Sequence, residues 1–300
     1  MNDRKEIEAL IYLLDDTDDE VIEQVQERLM SLGDEALMVL EEVLYQLEES
    51  IQIERVQGLI KKLKFDKNIQ YFSIWKQTGA EDLLGAVIEI ARIRFPDIER
   101  QEIENAIDKI KLDAWLEMQY DLTSYEKVRI LNHIFYNVHK FQGDSEDYHN
   151  ADNSFINKVL KRHRGNPISL AIIYSIVAQK LNIPIYGVNL PQHFVLGYKA
   201  GDDLEIIKAY NDSSELDQSP GSEILFYINP FSQGLVLSHQ SIYEFLKQIN
   251  VEPRDEYFNV CSNVEIIQRI LRNLIYTYEK EKNDEMLYVL QNIMQILENN

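Results

Sequence analysis

The chain has 300 residues, 45% hydrophobic and 10% aromatic, which supplies apolar surface for one large or two ordinary domains and excludes a disordered or collagen-like protein. Thirty basic against fifty-one acidic residues leave a net charge of −21. Such a field repels phosphate backbones and anionic bilayers and argues against nucleic acid and membrane as partners. A single cysteine, Cys261, rules out an internal disulfide or a cysteine-rich zinc site and points to a reducing compartment, so the cytoplasm is the expected location.

At the N-terminus, charged residues stand where a signal peptide needs an apolar core, and no stretch reaches the roughly 18 apolar residues of a membrane span; nothing is expected to export or anchor the protein. Residues 1–50 hold sixteen acids and three bases, so most of the net charge falls in the first sixth. Apolar positions there recur at helical spacing: Ile7, Leu10, Ile11, Leu14; then Val21, Ile22, Val25, Leu29; then Leu37, Leu40, Val43, Leu44, Leu47. They predict four short amphipathic helices. Thr17-Asp18-Asp19-Glu20 reads as a capping box, and Gly33 followed by Asp34 ends one helix and caps the next, which makes the neighbours antiparallel. The pattern is similar to HEAT-like hairpins, and its acidic outer face reads as a solvated surface.

Two more helical patterns cover 81–94, stopped before Pro96, and 101–118, and Thr123-Ser124-Tyr125-Glu126 boxes a third that runs toward His139. A polar loop from Gly143 to Asn150 precedes a short basic helix, Lys158 to Arg164, capped by Asn153 and ended by Gly165. From Ile168 to Leu181 the sequence is apolar on nearly every face, the mark of a fully buried helix. Extended segments are predicted at Ile185–Leu190, His193–Tyr198, Leu204–Tyr210 and Ile224–Asn229, with turns at Pro191, Gly201 and Pro220-Gly221. Boxes at Ser241–Glu244 and Ser262–Glu265 open further helices, the second a hairpin ending at Leu297 that resembles a tetratricopeptide-type pair. The fold class is therefore α+β and mostly helical, a buried helix packed on an antiparallel sheet.

Between 130 and 198 stand Asp147-Tyr148, Asn153-Ser154-Phe155, Arg164-Gly165-Asn166-Pro167-Ile168-Ser169-Leu170, Ile183-Pro184, Gly187-Val188 and Leu190-Pro191-Gln192-His193-Phe194. In that order they resemble the SirB-type branch of the transglutaminase-like superfamily. The resemblance implies a papain/transglutaminase-like core over 73–250 with a helical lead-in at 73–164, between a HEAT-like region at 1–72 and a tetratricopeptide-like hairpin at 251–300. It also implies a site: a cysteine at the start of the core helix, a histidine on a neighbouring strand, and an Asp or Asn that orients the histidine. The helix N-terminus and the histidine lower the thiol pKa, and the third group fixes the tautomer.

Carried over residue by residue, the nucleophile slot falls on Pro167, which has no nucleophile and follows a good N-cap, Asn166. A register two residues further on would place Ser169 there instead. His193 matches the histidine, preceded by Pro191-Gln192 where the branch has Pro-Gly, and Asn229 in Tyr227-Ile228-Asn229-Pro230-Phe231 matches the orienting residue. Cys261 is isolated in sequence, and His133, His139, His149 and His163 lack metal-site spacing. No cofactor or metal is expected. His193 and Asn229 are thus candidate catalytic remnants, with Asn166, Pro167, Ser169 and Gln192 as binding candidates. The resemblance implies a transglutaminase-like pseudoenzyme without its cysteine nucleophile that binds a protein or peptide; the alternative is a hydrolase or acyl-transfer enzyme using His193 and Asn229 as a general-base pair.

Overall fold

In the computed structural model, which describes residues 2–47, 50–200 and 223–299, backbone contacts separate two units, Met1–Ile74 and Trp75–Asn300. The first unit contains α1 (Asn2–Leu13), α2 (Asp19–Ser31), α3 (Gly33–Leu44) and most of α4 (Ser50–Gln77). The apolar positions that set the helical period close its core: Ile7, Ile11, Val25, Leu29 and Leu40 are buried with Val56, Leu59 and Leu63 of α4. The fourth helix is not short. It runs for 28 residues, with no proline to interrupt it. Two caps also differ from expectation. Asp18, not Thr17, caps α2, accepting from the Glu20 N–H at 3.0 Å. Gly33 does take the left-handed conformation at the end of α2 (φ +55), while Asp34 sits inside the first turn of α3 and pairs with Lys67 at 2.9 Å.

The second unit opens with α5 (Leu83–Arg94) and α6 (Arg100–Glu117). The Thr123–Glu126 box starts α7 (Ser124–Asn132), which continues as a π-helical turn through Val138. A short strand β1 (Gln142–Gly143) pairs in parallel with β2 (Arg164–Gly165), and between them lies α8 (Ile156–Arg162), which ends where His163 turns left-handed. Asn153 belongs to a 3-10 turn and does not cap α8; Phe155 stands at that position. Then comes α9 (Pro167–Lys180), buried at every residue from Pro167 to Ala178. The sheet follows as β3 (Ile185–Leu190), β4 (His193–Lys199), β5 (Ile224–Asn229) and β6 (Leu235–Leu237), antiparallel and in that order. The expected strand at Leu204–Tyr210 and the turns at Gly201 and Pro220-Gly221 lie outside the described residues. Three helices complete the unit: α10 (His239–Gln248), α11 (Asn263–Glu281) and α12 (Asp284–Glu298). Ser238, not Ser241, caps α10, with Ser241 as its reciprocal partner, whereas the Ser262–Glu265 box forms as predicted.

Alternation along the strands divides the sheet into two faces. One carries Val188, Leu190, Val195 and Tyr227 against Ile242 and Leu246 of α10. That cluster contains no residue of α9, which packs on β3 and β4, so α9 covers the opposite face, where Phe194 and Leu196 are buried. Gly187 also lies on that opposite face, and its missing Cβ admits Phe194, Cys261 and Ile266. At the ends of the unit, Lys76 Nζ donates to the carbonyls of Ile296 (2.9 Å), Leu297 (3.2 Å) and Asn299, closing the last turn of α12 with a cation.

Candidate functional site

The start of α9 is a closed hydrogen-bond set. Asn166 is extended (φ −85, ψ 173) and its side chain accepts from the Ser169 N–H at 3.0 Å, while Ser169 Oγ accepts from the Asn166 N–H at 3.1 Å. The same hydroxyl donates to the Asn166 carbonyl at 3.2 Å, and Asn166 Nδ2 donates to Ser154 Oγ at 2.9 Å. Asn166, Ser169 and Ser154 are all buried, and Pro167 fills the first helical position. A Cβ at Gly165 would overlap Ser169 Oγ, so the glycine is what lets the box close. Ser169 is a reciprocal cap whose hydroxyl is already committed to Asn166.

His193 begins β4 directly across from Leu190, and alternation puts it on the face that α10 covers, where its ring centroid is 5.8 Å from that of Phe245. Burial lowers its pKa first, the Arg269 charge lowers it further, and a hydrogen-bonding influence from the Asn229 side chain raises it; the net direction is down, toward the neutral imidazole. Asn229 has a second role that the sequence did not disclose. Its Oδ1 accepts from the N–H groups of Phe231 (3.1 Å) and Ser232 (3.2 Å), capping the 3-10 turn Pro230–Ser232. That turn is fixed from behind by Tyr136, whose hydroxyl donates to the Pro230 carbonyl at 3.0 Å. Gln192 is exposed and left-handed (φ 60) in the two-residue turn between β3 and β4, a conformation that glycine adopts without strain.

The candidates therefore form two groups. His193 and Asn229 come together beside Arg269 and Phe245; Asn166, Pro167 and Ser169 come together around Ser154; Gln192 stands in the hairpin turn next to His193. Among the described residues no hydrogen bond or ring contact joins the first two groups. Arg269 and Tyr148 were not singled out from the sequence as site residues. Arg269 donates from Nη1 to the Leu190 carbonyl at 3.4 Å, and Tyr148 packs edge-on to Phe231 with ring centroids 5.9 Å apart. Next to them, Tyr148, His149, Asn150, Ser154, Asn166, Asn273, Tyr276 and Thr277 line a polar pocket of about 100 Å³. Tyr148 was legible as part of the Asp147-Tyr148 pair; Arg269 had no local signal.

The remaining nucleophile and histidines lie elsewhere. Cys261 is mostly buried, and burial, then Glu265, push its thiol up to about 12, so it holds its proton at neutral pH. His139 Nε2 lies 2.8 Å from Asp113 Oδ2, and His163 stacks at a tilt on Phe141. Among the described residues no three His, Cys, Asp or Glu side chains meet in a way that could hold a metal ion, and no helix is long and apolar enough to cross a membrane.

The family model of the transglutaminase-like superfamily matches residues 101–272. Among curated proteins, a UPF0162 protein of Xylella fastidiosa (strain 9a5c) is 26% identical over 210 residues, covering 68% of this chain and 69% of that protein. A UPF0162 protein of Buchnera aphidicola is 28% identical over 217 residues, 71% of this chain and 72% of the relative. F-box only protein 21 of Pongo abelii is 27% identical over 166 residues, which is 55% of this chain but 24% of that longer protein. No solved structure matches the sequence.

Proposed function

The chain belongs to the transglutaminase-like superfamily, and we propose that it is a protein- or peptide-binding member that keeps the superfamily's cleft without its nucleophile. The observation that carries this reading is the start of α9. Proline occupies the first helical position, and the one hydroxyl in that turn, on Ser169, is consumed by the cap. With the Cys261 thiol held protonated, no activated nucleophile stands where the superfamily's chemistry needs one. Within the superfamily the reading is the SirB-type branch, acting in the cytoplasm. The helices of 1–72 and the hairpin of 251–300 would serve as HEAT-like and tetratricopeptide-like flanks, surfaces suited to other proteins. The match to a quarter of F-box only protein 21 supports a portable module, since the shared region recurs inside a longer protein.

The test is a pair of assays, amine incorporation into a glutamine peptide and hydrolysis of a peptide amide, before and after alkylation of Cys261. No thiol-dependent turnover is expected; activity that alkylation abolishes would sink the proposal. A second reading has one observation in its favour. His193 is biased toward the neutral form beside Asn229, the state a general base must have, which would support a hydrolase or acyl-transfer enzyme acting on water or a bound ester. Hydrolysis insensitive to alkylation but lost in His193→Gln would establish that alternative.

A further inference from the structure

The other partly buried arginines, and lysines such as Lys76 and Lys180, either meet a carboxylate or, like Arg55 and Lys76, are held by two or more backbone carbonyls; among the described residues Arg269 has neither arrangement. Arg162 meets Asp144 at 2.7 Å, Arg92 meets Glu89 at 2.5 Å and Lys180 meets Asp108 at 2.7 Å. Among the described residues no carboxylate oxygen lies within 4.0 Å of the Arg269 guanidinium, although the protein has fifty-one acids. Among the described residues its one hydrogen bond is the long one to the Leu190 carbonyl. A half-buried guanidinium bears a desolvation cost that a counter-ion ordinarily offsets, and most of its five N–H donors meet no acceptor among the described residues.

What surrounds it is suited to an anion. His193 lies across the β3–β4 pair from Leu190, so the imidazole and the guanidinium flank the same hairpin end. Tyr148 lies close enough to act on the Arg269 charge, and it lines the polar pocket that Asn273, one turn along α11 from Arg269, also lines. Arg272, exposed on the following turn, adds positive charge of its own. We infer that Arg269, flanked by His193 and Tyr148, receives a carboxylate of a bound peptide, with the adjoining pocket beside Asn273 taking the next polar group of the ligand. The inference rests on the binding reading above.

A carboxylate fits better than a doubly charged phosphate for two reasons. The planar fork of one arginine matches two carboxylate oxygens, and His193 contributes a hydrogen bond from a neutral ring in place of a second full charge. A monoanion also meets less repulsion from a protein of net charge −21. The carboxylate can come from a peptide's C-terminus or from an acidic side group, and the same experiment separates these sources.

The 300-residue chain, labelled with nitrogen-15 at histidine, is titrated by NMR with N-acetyl-triglycine, with N-acetyl-glutamic acid 1-amide and with the neutral N-acetyl-triglycinamide. At least one of the two acids is expected to shift the His193 ring signals saturably and to raise the His193 titration midpoint, as a nearby anion must; the neutral amide is expected to do neither. The acid that binds tighter identifies the source. Arg269→Gln should weaken that binding by about tenfold or more and, because Arg269 lowers the His193 pKa, should raise the midpoint in the free protein. Arg269→Lys should keep the free-protein midpoint and lose part of the affinity. Equal binding of amide and acids, wild-type binding by Arg269→Gln, or no saturable shift with either acid overturns the inference. Equal binding would do so while leaving the peptide-binding reading intact. Cleavage or transfer of a probe, seen as product resonances, would instead remove the non-catalytic reading and leave the role of Arg269 standing.

Discussion

The start of α9 and the end of the β3–β4 hairpin hold the two halves of the carried-over site, and they treat their polar groups in opposite ways. Around Asn166 and Ser169 the polar groups bond to one another and to Ser154, all of them buried. Around His193 the strongest donor, Arg269, has a single long contact and no counter-ion among the described residues. Polar groups that satisfy one another hold a fold together. Polar groups with donors to spare, kept at the edge of solvent, add little to stability and are free to meet something outside the protein.

Four measurements sharpen or break that contrast, and the largest effect concerns the helix on which the first half stands. Ile173 is 1% exposed, so Ile173→Asp buries an unpaired charge and should cost more than about 3 kcal/mol. The variant should fail to give soluble folded protein, and an unchanged melting temperature would show that α9 is not the core. Next comes a paired comparison by urea denaturation. Asn166→Ala removes a cap and strands two buried partners, for a loss of about 2 kcal/mol, whereas Arg269→Gln should cost under about 0.5 kcal/mol or stabilise slightly. If both lose the same amount, the contrast between the halves collapses.

A smaller effect appears with pH. The His193 pKa in the folded protein lies below the ordinary value near 6.5, so the unfolded state takes up the proton first. The resulting cost is absent above about pH 6.5 and grows as the pH falls toward the folded pKa. His193→Gln should therefore lose less stability than the wild type between neutral pH and pH 5, measured as the difference in melting temperature; parallel curves would mean that the ring is not desolvated. The smallest effect is at Gln192, whose φ of 60 strains any side chain. Gln192→Gly should raise stability by up to about 1 kcal/mol with the hairpin register unchanged, and a loss would place the Gln192 side chain in an interaction that the turn geometry does not reveal.

What the sequence discloses follows the range of the forces involved. Asn166 and Pro167 were readable because a cap and a first-turn proline act within four residues, and the burial of α9 was readable because it is apolar all round. The α10 cap was misread for an instructive reason. Ser238 and Ser241 both satisfy the local pattern, and the choice was made by the burial of Ile242 and Leu246 against the sheet, which is tertiary. The unbroken α4 was missed because nothing marks continuation except the lack of a stop. His193 and Asn229 were found through the resemblance, whereas Arg269 occupies a position among Ile266, Ile267, Ile270 and Leu271 that in one dimension reads as an ordinary solvated turn of α11. Only the fold brings its guanidinium to the Leu190 carbonyl, with no acid among the described residues waiting there.

The lysine that closes α12 has a topological consequence. Lys76 is the second residue of its unit, and the carbonyls it holds belong to positions 296, 297 and 299, so the unit begins and finishes within the reach of one side chain. Such a unit is nearly a ring. A linker of a few residues could join its ends, and new ends opened at a solvent-facing turn such as Pro191-Gln192 would leave the buried helix and its sheet uncut. For the Trp75–Asn300 unit the order in which the backbone visits its elements is then a separable property from the arrangement they reach, and a circular permutant would retain the second while discarding the first.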